Sequence, residues 1–187
     1  MDTNLAKFGV HGNQMRVGSG TVDETRWLDE REQGAWRGFV DMQAELLSRL
    51  EREMQRDAGL SGGDFAILVN LSEAPGGRRR ARDLGTAIGW DKSRLSKHLT
   101  RMQARGLVCR EACETDHRGS FVVLTQQGRV AVEVAARPHA GHVRRWFVEA
   151  MTAEQLDTLA TISAAVLAGL RADVETADVE PAQADEG

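Results

Sequence analysis

The chain has 187 residues, 41% of them hydrophobic and 28% charged, with a formal net charge of −4. That suffices for one globular domain with appended segments. No stretch approaches the ~20 apolar residues of a membrane span, and the N-terminus has no apolar signal-peptide core, so a cytoplasmic protein is expected. The negative sum hides a local excess of the opposite sign. Residues 173–187 hold six acids and no Lys or Arg, which turns −4 for the whole chain into +2 over residues 1–172. Within 78–118 there are eleven Lys or Arg against five acids. A basic stretch of that kind is the footprint of a phosphate-rich partner.

Residues 1–22, with four glycines and few apolar residues, read as a flexible arm. A long helix is expected from Val22–Thr25 to about Asp57. Trp27, Trp36, Phe39, Met42, Leu46, Leu50 and Met54 recur along it at helical spacing. About 30 residues of helix span ~45 Å, more than one small core needs, so part of the stripe is expected to meet another chain. Gly59 closes this helix. Ser61 caps a short one carrying Phe65, Leu68, Val69 and Leu71, and Pro75-Gly76-Gly77 makes a turn. Arg78, Arg79 and Arg80 follow, placed either for phosphate contacts or as a plain solvated charge run.

A short helix is expected over Ala81 to Ile88, with Ala81, Leu84 and Ile88 on one face. Gly89 ends it, and Asp91 caps the next helix, with Trp90 and Leu95 in the positions of a hydrophobic staple. Leu95, Leu99 and Met102 form its buried stripe. Lys92, Ser93, Arg94, Ser96 and Lys97 occupy its first two turns, and all are hydrogen-bond donors. In a helix-turn-helix, those positions reach base edges in the major groove. Arg101 and Arg105, further along, suit phosphates. A two-stranded hairpin is expected next, from Leu107 to Ala112 and from Ser120 to Leu124. At its tip, Arg118 is placed to enter a narrow minor groove, with Asp116 to hold it. The alternative for the tip is an ordinary surface turn.

Thr125 caps another long helix, which Pro138 is expected to kink or divide. Val130, Val134, Val143, Trp146 and Phe147 are its apolar positions. Thr152 and Gln155 fit a capping box for a last helix along Leu156, Leu159, Val166 and Leu170. Residues 173–187, acidic and with Pro181, are expected to be disordered.

Four segments together resemble the MarR family of winged-helix transcriptional regulators. They are Ser93-Arg94-Leu95-Ser96-Lys97, Arg105-Gly106-Leu107-Val108-Cys109-Arg110, Asp116-His117-Arg118 and Leu124-Thr125-Gln126-Gln127-Gly128. The resemblance runs from about Trp27 to Arg171. Family members often carry a second Asp shortly after the wing arginine, where this chain has Gly119 and Ser120. The expected fold is therefore mainly α with a small β-hairpin wing, a winged helix-turn-helix that dimerises through its terminal helices. Its parts are an arm (1–22), a winged-helix domain (23–172) and an acidic tail (173–187). Within the domain, the DNA-reading lobe is about 61–124 and the dimerisation helices are about 24–57 and 125–172.

The resemblance implies a dimeric DNA-binding regulator, most often a repressor, acting on an inverted-repeat operator in double-stranded DNA. It also implies a small-molecule effector pocket, for which Trp27, Trp36, Phe39, Phe65 and Trp146 are candidates. Each is equally placed to be core. The rival reading is a winged-helix module that binds protein rather than specific DNA. No nucleophile–base set, P-loop or zinc-protease motif is present, so neither an enzyme nor a cofactor is expected. Cys109 and Cys113 are too few for a four-cysteine zinc site, and His139 with His142, three residues apart, supplies two ligands and not a metal site. Some family members sense oxidants through cysteine and some sense zinc. The chain has no Tyr, which excludes a tyrosine-assisted cysteine sensor.

Overall fold

The computed structural model describes residues 27–112 and 120–177, so the N-terminal arm, the wing tip and the end of the acidic tail lie outside the described residues. The chain divides into two compact units, residues 1–38 and 39–187, with the boundary inside the first helix.

Helix α1 (Glu30–Ala58), which starts in the first unit and ends in the second, begins just after Asp29 and not near Val22–Thr25. Asp29 and Glu32 make a reciprocal cap. The Asp29 carboxylate accepts from the Glu32 N–H, and the Glu32 carboxylate accepts from the Asp29 N–H, both at 2.8 Å. Apolar spacing through Trp27 and Leu28 suggested the earlier start, but the first donors of a helix need an acceptor, and Asp29 provides it.

The second unit is built on α2 (Gly62–Ser72), whose Ser61–Asp64 capping box fixes its start. Ile67, Leu68 and Leu71 of α2 are fully buried. Around them pack α3 (Ala81–Ile88), α4 (Lys92–Ala104) and a small sheet. Leu84 of α3 and Leu95, Leu99 and Met102 of α4 enter the same core, as their spacing predicts. Gly89 ends α3 in the left-handed region, at φ 66°.

The sheet has three strands in the order β1-β3-β2, all antiparallel. Strands β2 (Val108–Ala112) and β3 (Ser120–Leu124) form the expected hairpin, with Val108 opposite Leu124 and Ala112 opposite Ser120. The third strand, β1 (Arg78–Arg80), is the basic run itself, with Arg78 opposite Val123 and Arg80 opposite Phe121. Three arginines carry no apolar alternation, so nothing in their pattern signals a strand. Backbone pairing with β3 creates it.

Thr125 caps α5 (Gln126–Val143), its hydroxyl accepting from the Gly128 N–H at 2.9 Å. Helix α5 runs unbroken through Pro138; the interruption comes after it, in a π-turn over Arg144–Val148. A proline removes one N–H donor. The helix survives that loss because Ala135 is buried and the His139 ring packs on Phe65 of α2, one on either side of the proline. The packed face is Gly128, Val132 and Ala135, whereas the apolar positions Val130 and Val134 are 49% and 59% exposed. Helix α6 (Ala153–Ala177) opens on the predicted Thr152–Gln155 box. It continues through 173–177, part of the segment expected to be disordered. Along it Ile162, Val166, Leu167 and Leu170 are all about half exposed or more.

Gly128 is where α5 crosses the start of the wing. A Cβ there would lie 2.0 Å from the Leu107 carbonyl oxygen, a backbone atom that cannot swing aside. Gly128→Ala should therefore cost at least ~1–3 kcal/mol, read from urea unfolding midpoints. Gly141→Ala, with nothing within 4 Å of its Cβ, should leave stability unchanged or raise it by up to ~1 kcal/mol.

Candidate nucleic-acid interface

Helix α4 separates its two faces cleanly. Leu95, Leu99 and Met102 point into the core, while Lys92, Ser93, Arg94, Ser96, Lys97 and Arg101 are exposed. Its start is fixed by Asp91, which accepts from the Arg94 N–H at 2.9 Å. The Arg94 backbone donor, followed by that of Ser93, offsets a small burial penalty and holds the Asp91 carboxyl below its usual range.

Trp90 sets the position of this helix start. The ring packs against the core that holds Leu95. It also lies against Gly63 of α2, where a Cβ would come within 2.6 Å of it, so only glycine leaves it room. The His98 ring meets it edge-on at 5.0 Å, and the Arg94 guanidinium lies 4.2 Å from the indole centroid. Stacking of that kind orients a guanidinium while leaving its N–H edge available.

The far end of α4 is tied down by Asp64, a buried carboxylate only 4% exposed. His98 Nε2 lies 2.8 Å from Asp64 Oδ1, and Arg105 donates to Oδ2 at 2.7 Å. The Ser61 N–H donates to the same Oδ2 at 3.0 Å. The second Arg105 nitrogen reaches the Gly59 carbonyl at 2.8 Å. Arg105, expected on phosphates, therefore turns inward, drawn by a carboxylate that water cannot reach. Arg101 lies 2.9 Å from His98 Nδ1, an arrangement met by the neutral tautomer that donates from Nε2 to Asp64. Burial alone would raise the Asp64 pKa; the Ser61 backbone donor and Arg105 outweigh it and bring it below the ordinary 3.8.

The wing is tied to the same helix. Arg110 of β2 donates to the Ser96 carbonyl at 3.0 Å and approaches its hydroxyl at 3.4 Å. Of the basic run, Arg78 lies over Phe121 at 4.1 Å and 3.6 Å from Glu111, and Arg79 donates to Asn70 at 2.9 Å. Arg80 is exposed, with its guanidinium 5.6 Å from the Phe121 ring. Arg78 and Arg79 thus brace the sheet. Arg80, Arg82, Lys92 and Arg110 border a cleft of about 640 Å³, floored by Leu95 and Leu99, between α3, α4 and the sheet. Asp116, Arg118 and Cys113 lie outside the described residues. Cys109 is an exposed thiol on β2.

The aromatic candidates are described unit by unit. Trp27 and Trp36, in the first unit, are 76% and 59% exposed. In the second unit Phe39 is 47% exposed, Phe65 packs on His139 at 4.7 Å, and Trp146 stacks on His142 at 4.9 Å. Sequence reasoning missed Asp64, His98 and Arg110. Asp64 alone left a signal, as the partner of Ser61 in a capping box.

A MarR family model matches residues 58–119, from the end of α1 through α4 and the first wing strand. AbsC, a MarR family transcriptional regulator from Streptomyces coelicolor, is 42% identical over 79% of this chain and 99% of its own, with a TM-score of 0.74. The chain belongs to the MarR family. A second MarR family regulator from S. coelicolor, Sco3205, solved in complex with DNA, is 34% identical over 88% of this chain and 97% of its own, with a TM-score of 0.75. MepR of S. aureus, also solved with DNA, shares the MarR fold at 15% identity over 70% of this chain and 94% of its own, with a TM-score of 0.63. Among the described residues, the segments that carry the resemblance in the sequence thus stand in a MarR winged helix with a three-stranded sheet.

The Asp64 cluster gives a test within this MarR lobe. Asp64→Asn leaves Arg105 without its anionic partner and should cost ~1–3 kcal/mol of stability. Because the folded pKa is depressed, the carboxylate's contribution is present above pH 3.8 and is lost as pH falls through the lower folded value. The acid limb of a stability–pH profile should accordingly be shallower in Asp64→Asn than in the wild type.

Proposed function

We propose that the chain is a dimeric, sequence-specific DNA-binding regulator. It acts as a repressor on an inverted-repeat operator and is released by a small molecule or another signal. The observation that carries this reading is the exposed donor face of α4, from Lys92 to Lys97, held at a fixed angle by Asp91, Trp90 and the Asp64 cluster. Lys92, Ser93, Arg94, Ser96 and Lys97 enter the major groove. Arg101, Arg78, Arg79 and Arg80 meet phosphates. Arg118, supported by Asp116, enters the minor groove. The DNA complex of Sco3205, 34% identical, supports a nucleic-acid partner for this lobe.

Dimerisation is the second part of the proposal. Phe39, Met42 and Leu47 of α1 and Ile162, Val166, Leu167 and Leu170 of α6 expose apolar side chains well beyond what scattered surface residues require. The terminal helices α1, α5 and α6 cover these faces in a two-fold pair, leaving two reading lobes of about 61–124. Two-fold pairs read half-sites about 10 bp apart, or a multiple of that. Trp27, Trp36, Phe39, Phe65 and Trp146 are the effector-facing candidates among the aromatics.

The test is selection of binding DNA from a random pool, followed by salt titration of the winner. An enriched inverted repeat with a steep salt slope supports the reading. No enrichment together with a shallow slope would transfer the winged helix to a protein partner. On the selected operator, Arg94→Ala should cost ~1–3 kcal/mol and relax one base position. Equal loss on every operator variant would remove Arg94 from base readout. Arg101→Ala should weaken all sequences alike and reduce the salt slope by about one.

A further inference from the structure

His139 and His142 are three residues apart on α5, yet their rings serve different neighbours. His139 packs on Phe65, and its Nδ1 is buried without a hydrogen bond. His142 turns to α1, with Nε2 2.9 Å from Asp57 Oδ2 and Trp146 stacked on its other side, 11° from parallel. One turn back along α1 stands Glu53. Its Oε2 is buried and is the ion-pair partner of the Arg56 guanidinium. One ligand atom from each of Glu53, Asp57 and His142 lies within 4.8 Å of the others.

We propose that Glu53, Asp57 and His142 bind one divalent transition-metal ion, with zinc as the representative, and so join the end of α1 to the end of α5. Two features of this chain carry the proposal. The donors are two carboxylates and an imidazole, converging from two helices. An imidazole nitrogen favours zinc and its neighbours over calcium or magnesium, which take all-oxygen shells. The spacing is near what one ion needs: ligands at ~2.0–2.2 Å from zinc stand about 3.4 Å apart in a tetrahedral shell. Closing from 4.8 Å is within reach of side-chain rotation. Three protein ligands also leave a coordination position for water or an exogenous donor.

Arg56 is the competitor, because it pairs with both Glu53 and Asp57. A bound ion displaces it, so its removal should strengthen metal binding. A structural carboxylate–arginine cluster with no ligand role predicts no such gain.

The test is calorimetric titration of zinc into the full-length protein after chelator treatment and dialysis. One ion per chain is expected. Affinity should fall at least ~10-fold in Glu53→Gln and in His142→Ala, and rise in Arg56→Met. The double variant Cys109→Ser, Cys113→Ser should bind as the wild type does. Absence of binding in the wild type, or equal affinity in Glu53→Gln and His142→Ala, overturns the proposal. Cobalt gives a readout that needs no folded variant. Its spectrum in the wild type should lack a thiolate charge-transfer band, and the presence of that band would assign the ion to cysteine and overturn the site.

Discussion

A carboxylate removed from water must be met by donors, and Asp64 is met from three places at once. Ser61 supplies a backbone N–H from the start of α2, His98 a ring nitrogen from the middle of α4, and Arg105 a guanidinium from its C-terminal end. An unmatched charge at that depth would cost several kcal/mol. The angle between the core helix and the candidate recognition helix is therefore not adjustable without losing one of these bonds. Arg105 extends the constraint to α1 through the Gly59 carbonyl, and His98 extends it to Arg101 on the exposed face.

The front of α4 is held by packing rather than charge. The indole of Trp90 fits over Gly63 because no Cβ stands there, and its outer face carries Arg94. Thus one side of a single aromatic ring is structural and the other presents a donor. Arg110 does comparable work from the sheet, fixing the wing strand to the Ser96 backbone. The donors of α4 are presented by a rigid frame, which lowers the entropy cost of ordering them on a ligand.

The terminal helices follow a different rule. The reading lobe is saturated, with its apolar residues inside, whereas α1 and α6 keep long apolar side chains in contact with solvent. Helix α5 stands between these cases. It buries Gly128, Val132 and Ala135 on the lobe and leaves Val130 and Val134 outside. An element with two apolar faces has the pattern of a connector between a packed core and a second surface.

The sequence alone was sufficient for the family, the order of the helices and the hairpin, and nearly every helix start among the described residues. Those are local matters: a cap needs its acceptor within three residues, a buried stripe repeats every three or four, and Ser61, Asp91, Thr125 and Thr152 all stand where the bonds form. Asp29 shows the same rule applied at a place where apolar spacing misled. Only tertiary structure decided what each polar side chain meets. The Arg78–Arg80 run became a strand because β3 offered an unpaired edge. Arg105 turned inward because Asp64, 41 residues earlier, was buried beneath it. His142 parted from His139 and joined residues of α1, 85 positions from Asp57. Spacing along a chain encodes which face of a helix a residue occupies. It does not encode what stands opposite that face, which depends on how distant elements are brought together in the packed core.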